Sequence, residues 1–211
     1  MSIMSDLATK PSLLMITAIG ISGALLLVWL AGCDDPAPTT FPDSGADHPT
    51  GVRWIDYQGV AVPHADQGPG RVEGPAAAGF EHSPPGAALA AIHATVRMSL
   101  APDHDWVRVG QAMLAPGPGR DTWAAARAQL HLEVPIPAAT APQILGYQVA
   151  RYHRDRAEIA VYVRHGDASL TRQLAVVVWL GEDWRLLLPP EPDAVVSAVA
   201  TTPADTVRLG R

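Results

Sequence analysis

The stretch from Pro11 to Cys33, PSLLMITAIGISGALLLVWLAGC, carries no charge between Lys10 and Asp34, and it constrains the chain more than any other feature. As a helix it would reach about 34 Å at roughly 1.5 Å per residue, enough to cross a hydrocarbon core about 30 Å thick. A helix packed in a water-soluble core would show a polar side over that length. The predicted layout has a cytoplasmic N-terminus over 1–12, a transmembrane helix or lipoprotein signal over 13–33 and a flexible tether over 34–50. An extracytoplasmic domain follows over 51–190, opening with an extended arm over 51–82, and a C-terminal tail occupies 191–211.

Two readings of the end of the apolar stretch compete. In one it is a retained single-pass anchor. In the other, Leu30-Ala31-Gly32-Cys33 is a bacterial lipobox, in which a peptidase cuts before Cys33 and the thiol takes a diacylglyceryl group, making Cys33 the lipidation candidate. The length favours the anchor, because the apolar part of a signal peptide spans roughly 7 to 15 residues. A start at Met4 rather than Met1 would bring Lys10 nearer the terminus and make the segment more signal-like. Lys10 on one side against Asp34 and Asp35 on the other favours a cytoplasmic N-terminus, so both readings place 34–211 outside the cytoplasm of a bacterial cell. Cys33 is the only cysteine, so no disulfide forms within the chain.

Hydrophobic residues at 48% with charged residues at 17% fit one packed domain, whereas 18 Gly and 20 Pro predict long irregular connections. A net charge of -6 without a basic stripe argues against direct contact with nucleic acid. Lys10 is the one lysine among 15 basic residues, a bias that matches G/C-rich codons and a high-GC bacterial genome.

From Asp34 to Thr50 the chain is too poor in large apolar groups to pack, and Gly and Pro then punctuate an arm with at most one short strand. Ser83-Pro84-Pro85 is a helix start, with Ser83 as cap and Leu89, Ile92, Val96 and Leu100 as core face. A second helix opens at Asp103 or Asp105 and carries Trp106, Val109 and Met113. A third opens near Asp121 with Trp123, Ala126, Arg127 and Leu130, and Pro135 prevents its extension. From Gln143 the apolar period becomes two: Leu145, Tyr147 and Val149, then Ile159, Val161 and Val163, then Leu174, Val176, Val178 and Leu180, then Trp184, Leu186 and Leu188. The tail after Pro190 is expected to be loosely attached, with a turn of helix over 194–200. The fold class is α+β, with three helices packed on a four-stranded antiparallel sheet, and this order resembles the cystatin-like cone of nuclear transport factor 2 and its relatives.

Trp54, Gly59-Val60-Ala61-Val62-Pro63, Gly68-Pro69, the block Gly79-Phe80-Glu81-His82-Ser83-Pro84-Pro85-Gly86, Gly146-Tyr147 and Trp184-Arg185-Leu186 resemble single-pass membrane proteins encoded on actinobacterial integrative and conjugative elements. The resemblance covers roughly Arg53 to Pro190. It implies an exported cystatin-like domain similar to assembly subunits of type IV secretion machines. The role implied is a structural scaffold in conjugation, in contact with the cytoplasmic membrane and other components of the transfer machine. A homo-oligomer is compatible with that role. The lipobox-like end departs from a simple single-pass pattern.

The residues themselves suggest no enzyme chemistry. The eight histidines lack paired ligand spacing, no nucleophile elbow occurs, and the Gly-Pro-Gly stretches lack a following Lys-Ser/Thr. No catalytic, cofactor-binding or metal-binding residue is assigned. His82 is expected to fix the loop before the first helix and His93 to sit partly buried within it. Trp179 lies out of phase with Leu174, Val176 and Val178, which makes it the protein-contact candidate on the opposite sheet face. Two alternatives remain: a cone that binds a small hydrophobic ligand or isomerises it with a buried raised-pKa carboxylate, and an envelope lipoprotein.

Overall fold

The structure, a computed structural model, describes residues 48–191 and 195–210. The apolar stretch, Cys33 and most of the tether lie outside the described residues. No helix among the described residues is long and apolar enough to cross a membrane.

The arm is more ordered than its Gly and Pro content suggests. β1 (Arg53–Tyr57) pairs antiparallel with β2 (Val60–His64), and β3 (Arg71–Glu73) with β4 (Ala76–Ala78). These four strands replace the single short strand expected there, because the glycines sit in the turns between short extended runs. Val60 and Val62 anchor the first hairpin in the core.

α1 (Pro84–Leu100) begins as the sequence predicts: the Ser83 hydroxyl accepts a hydrogen bond from the Gly86 N–H at 3.3 Å, with proline in the first turn. Every residue from Pro85 to Ala94 is buried. Its alanines let strands and hairpins approach on all sides, and burying Leu89 and Ile92 contributes roughly 2 kcal/mol each. Gly86 is required by space, since a Cβ there would lie 2.0 Å from the Glu81 carbonyl oxygen. Beyond Ala94 the helix opens, and only Arg97 remains buried.

α2 (Trp106–Met113) buries Val109 and Met113. α3 (Pro118–Arg127) starts three residues before Asp121, because Pro118 takes an N-terminal helical position after Gly117. The two helices meet where the Trp123 ring lies over Gly110 and edge-on to Trp106, with centroids 5.9 Å apart.

The main sheet contains β5 (Gln143–Tyr152), β6 (Arg156–Arg164), β7 (Leu170–Leu180), β8 (Asp183–Leu187), β9 (Val196–Val199) and β10 (Val207–Arg208). β5 to β8 form the expected antiparallel meander. Two strands were not expected. β9 pairs with the first part of β7, beside the stretch of β7 that pairs with β8, and β10 pairs with β5. The segment read as a loose tail with a helical turn therefore contributes strands, making a six-stranded sheet rather than a four-stranded one.

The helix layer also differs from expectation. α1 packs across β5 to β8, whereas α2 rests mainly on β4, α1 and β8, and α3 rests on α2. The architecture is α+β, with one central helix on the sheet and two peripheral ones. The buried face of β7 is Ala175 and Val177, reversing the expected phase, with Leu174, Val176 and Val178 on the other face.

Candidate functional site

Three clusters gather the polar and aromatic residues. The first is built by the Gly79–Ser83 block and explains why those residues occur together. Asp183, at the start of β8, accepts the N–H groups of Gly79 at 2.7 Å and Phe80 at 3.1 Å. The Trp184 indole donates to the Glu81 carbonyl at 3.0 Å. His82 contacts the Arg154 carbonyl in the β5–β6 turn and stacks on Trp179 with centroids 3.9 Å apart and planes 6° from parallel. Trp184 is edge-on to Trp179 at 5.3 Å and to His82 at 5.4 Å, and Tyr152 lies 6.0 Å from it. The loop before α1 is thus clamped to the turn end of the sheet, as expected for His82. Trp179 shares the sheet face of Ala175 and Val177, and it is half-buried under His82 rather than standing exposed on the opposite face.

The second cluster lies under the first hairpin. The His93 Nε2–H donates to the Pro63 carbonyl at 2.9 Å, which leaves Nδ1 to accept from Arg97 Nε at 3.4 Å. Arg97 donates to the Pro75 carbonyl at 2.6 Å and lies 4.3 Å from the Tyr57 ring centroid. His64 meets His93 edge-on at 5.0 Å. Burial pushes His93 down to about 3, although its bond to Pro63 opposes the change. Burial also lowers His64, with Arg53 and Arg97 adding to the shift. Burial lowers the Arg97 pKa and raises that of Tyr57. His93 and Arg97 thus hold α1 to the carbonyls of Pro63 and Pro75, and His93 is fully rather than partly buried.

The third cluster brings together Asp103, His131 and Glu133, a set with ligand-type atoms that the spacing of the histidines did not suggest. Asp103 already accepts the Leu132 N–H at 3.0 Å and Arg127 Nη2 at 2.9 Å, and these bonds, Leu132 first, hold its carboxyl below the usual range. A guanidinium on the same carboxylate opposes a cation, so the group reads as a loop tie. Arg127 also donates to the Ala101 carbonyl at 2.7 Å.

A groove of about 700 Å³ opens beside the C-terminal half of α1, bounded by the loop into α3, β7, the end of β8 and β9. Its aliphatic walls carry Arg120, Arg156 and Arg172, and no carboxylate lines it among the described residues. Gly119 sets one wall, because a Cβ there would lie 2.1 Å from the Leu188 carbonyl. Sequence reasoning missed this site, since its residues come from six separate segments.

The fold and these clusters define an α+β domain whose polar interior ties loops to a central helix and whose open side carries a cationic apolar groove. A family described as a domain of unknown function (DUF8175) matches residues 31–207, and the chain belongs to that family. No curated protein and no solved structure matches the chain.

Proposed function

We propose that the chain is a membrane-anchored extracytoplasmic scaffold of a conjugative, type IV secretion-like transfer system, acting through protein contacts. The observation that carries this reading is the aromatic cluster at the turn end of the sheet. There the buried Trp184 is surrounded by half-buried Trp179 and Tyr152 and by exposed His82. Rigid aromatic groups around a buried ring are the side chains that dominate protein interfaces. The isomerase-like alternative needs a buried carboxylate, and every carboxylate among the described residues is at least partly exposed. The cystatin-like reading of the fold belongs to the same proposal and rests on α1 lying across an antiparallel meander.

The test is mating. Deleting the gene from a conjugating host should lower transfer at least a hundredfold. The full chain should restore it, while an exported, folded Trp179→Ala chain should not. Unchanged transfer on deletion would overturn the proposal, and full rescue by Trp179→Ala would remove the cluster from it. Retention of the apolar anchor is a further part: the parent should take up no lipid label and keep its mass on Cys33→Ala apart from the side-chain difference. A labelled parent would replace the helix with a lipid.

A further inference from the structure

We propose that the groove between the C-terminal half of α1, the loop into α3 and the β7 edge binds one anionic amphiphile, a molecule with a carboxylate or phosphate head and a single aliphatic chain. The inference stands independently of the scaffold reading, since it concerns the opposite half of α1 from the aromatic cluster.

Charge selects the head. In a chain of net charge -6, this groove gathers three arginines and no carboxylate among the described residues. Among the described residues Arg120 pairs only with the exposed Asp121, at 4.0 Å, and neither Arg156 nor Arg172 forms an ion pair. A guanidinium binds carboxylate or phosphate through two parallel N–H bonds. Arg156 and Arg172 occupy the same sheet face, opposite Val178 and Tyr162 respectively in the β6–β7 register.

The lining selects the body. Met98, Leu174, Val176, Leu187 and Leu188 present an aliphatic surface, and the volume of about 700 Å³ lies within the range of roughly 300–1,000 Å³ typical of small-molecule sites. Peptide is the competing occupant, and the walls disfavour it. Pro116, Pro118, Pro189 and Pro190 line the groove and have no N–H to offer. An extended peptide brings one donor and one acceptor per residue, each costly to bury unpaired, whereas an aliphatic chain brings none.

The experiment uses the full chain in phosphatidylcholine nanodiscs with a photoreactive palmitate carrying a diazirine on its chain, and locates the label by mass spectrometry. Label is expected within 172–176 and 186–190. Palmitate should displace it, palmitamide should require at least tenfold more, and each two-carbon extension of a competing fatty acid should raise its affinity about tenfold. Arg156→Gln with Arg172→Gln, both at accessible positions, should reduce labelling at least tenfold with the thermal midpoint unchanged. Lysophosphatidate displacing at lower concentration than palmitate would identify a lipid phosphate as the head, and the reverse order a free carboxylate. Label scattered over the domain, palmitamide competing as well as palmitate, or an acidic peptide displacing label that palmitate leaves in place would each overturn the proposal.

Discussion

The two halves of α1 differ in composition and in surroundings: all its alanines lie at or before Ala94, and Thr95 to Leu100 contains none. From Pro85 to Ala94 the helix is enclosed by hairpins and sheet, and its ends of contact are fixed by Asp183, His82 and the His93–Arg97 pair. From Thr95 onward it borders an open groove, and Thr95, Met98 and Ser99 face into it. The contrast shows where the domain stores its stability and where it can accept change. Ten consecutive residues are buried in the closed half, while in the open half Arg97 alone is fully buried and Ser99 is exposed beside the groove.

The largest expected effect that sharpens this contrast is acid sensitivity of the closed half. His93 titrates at about 6.5 when unfolded and at about 3 when folded. The stability from keeping it neutral is fully present above about 6.5 and is lost as the pH falls towards 3, at about 1.4 kcal/mol per pH unit. Denaturant titrations across that window should show the slope, with His64 adding to it. His93→Gln, which keeps a donor for Pro63 and an acceptor for Arg97, should remove one such increment; an unchanged slope would break the argument.

Next in size is Gly86→Ala, which forces a Cβ against the Glu81 carbonyl and should cost about 3 kcal/mol in chemical denaturation. Asp183→Ala leaves the N–H groups of Gly79 and Phe80 without their acceptor, and a loss of about 2 kcal/mol is expected, read as a lower thermal midpoint. On the open half, Ser99→Ala should change stability by less than about 0.5 kcal/mol. A larger loss there would erase the difference between the halves.

Much of this arrangement was legible in the residues. Ser83-Pro84-Pro85 marks a helix start by chemistry alone, and alternation located β5 to β8. The phase of β7 was not legible, because Leu174 to Trp179 is apolar at every position and period two then has no preferred face. β9 and β10 escaped for a different reason: a strand of four residues and one of two carry little local signal, and their pairing depends on distant partners. His93 and Arg97 are four apart, a spacing that allows contact within the helix, but the pair was not singled out from the sequence. Their main-chain acceptors at Pro63 and Pro75 could come only from the fold. The groove was invisible for the same reason, and the expected exposure of Trp179 failed because its cover, His82, lies 97 positions away in the sequence.

The indole of Trp54, in the first hairpin, donates to the Gly210 carbonyl at 2.9 Å, while Leu209 is buried and β10 lies along β5. Mechanically, this makes the domain a closed loop. A pull applied between β1 and β10 would load the Trp54–Gly210 bond, the short β10–β5 ladder and the Leu209–Leu145 bond beside it.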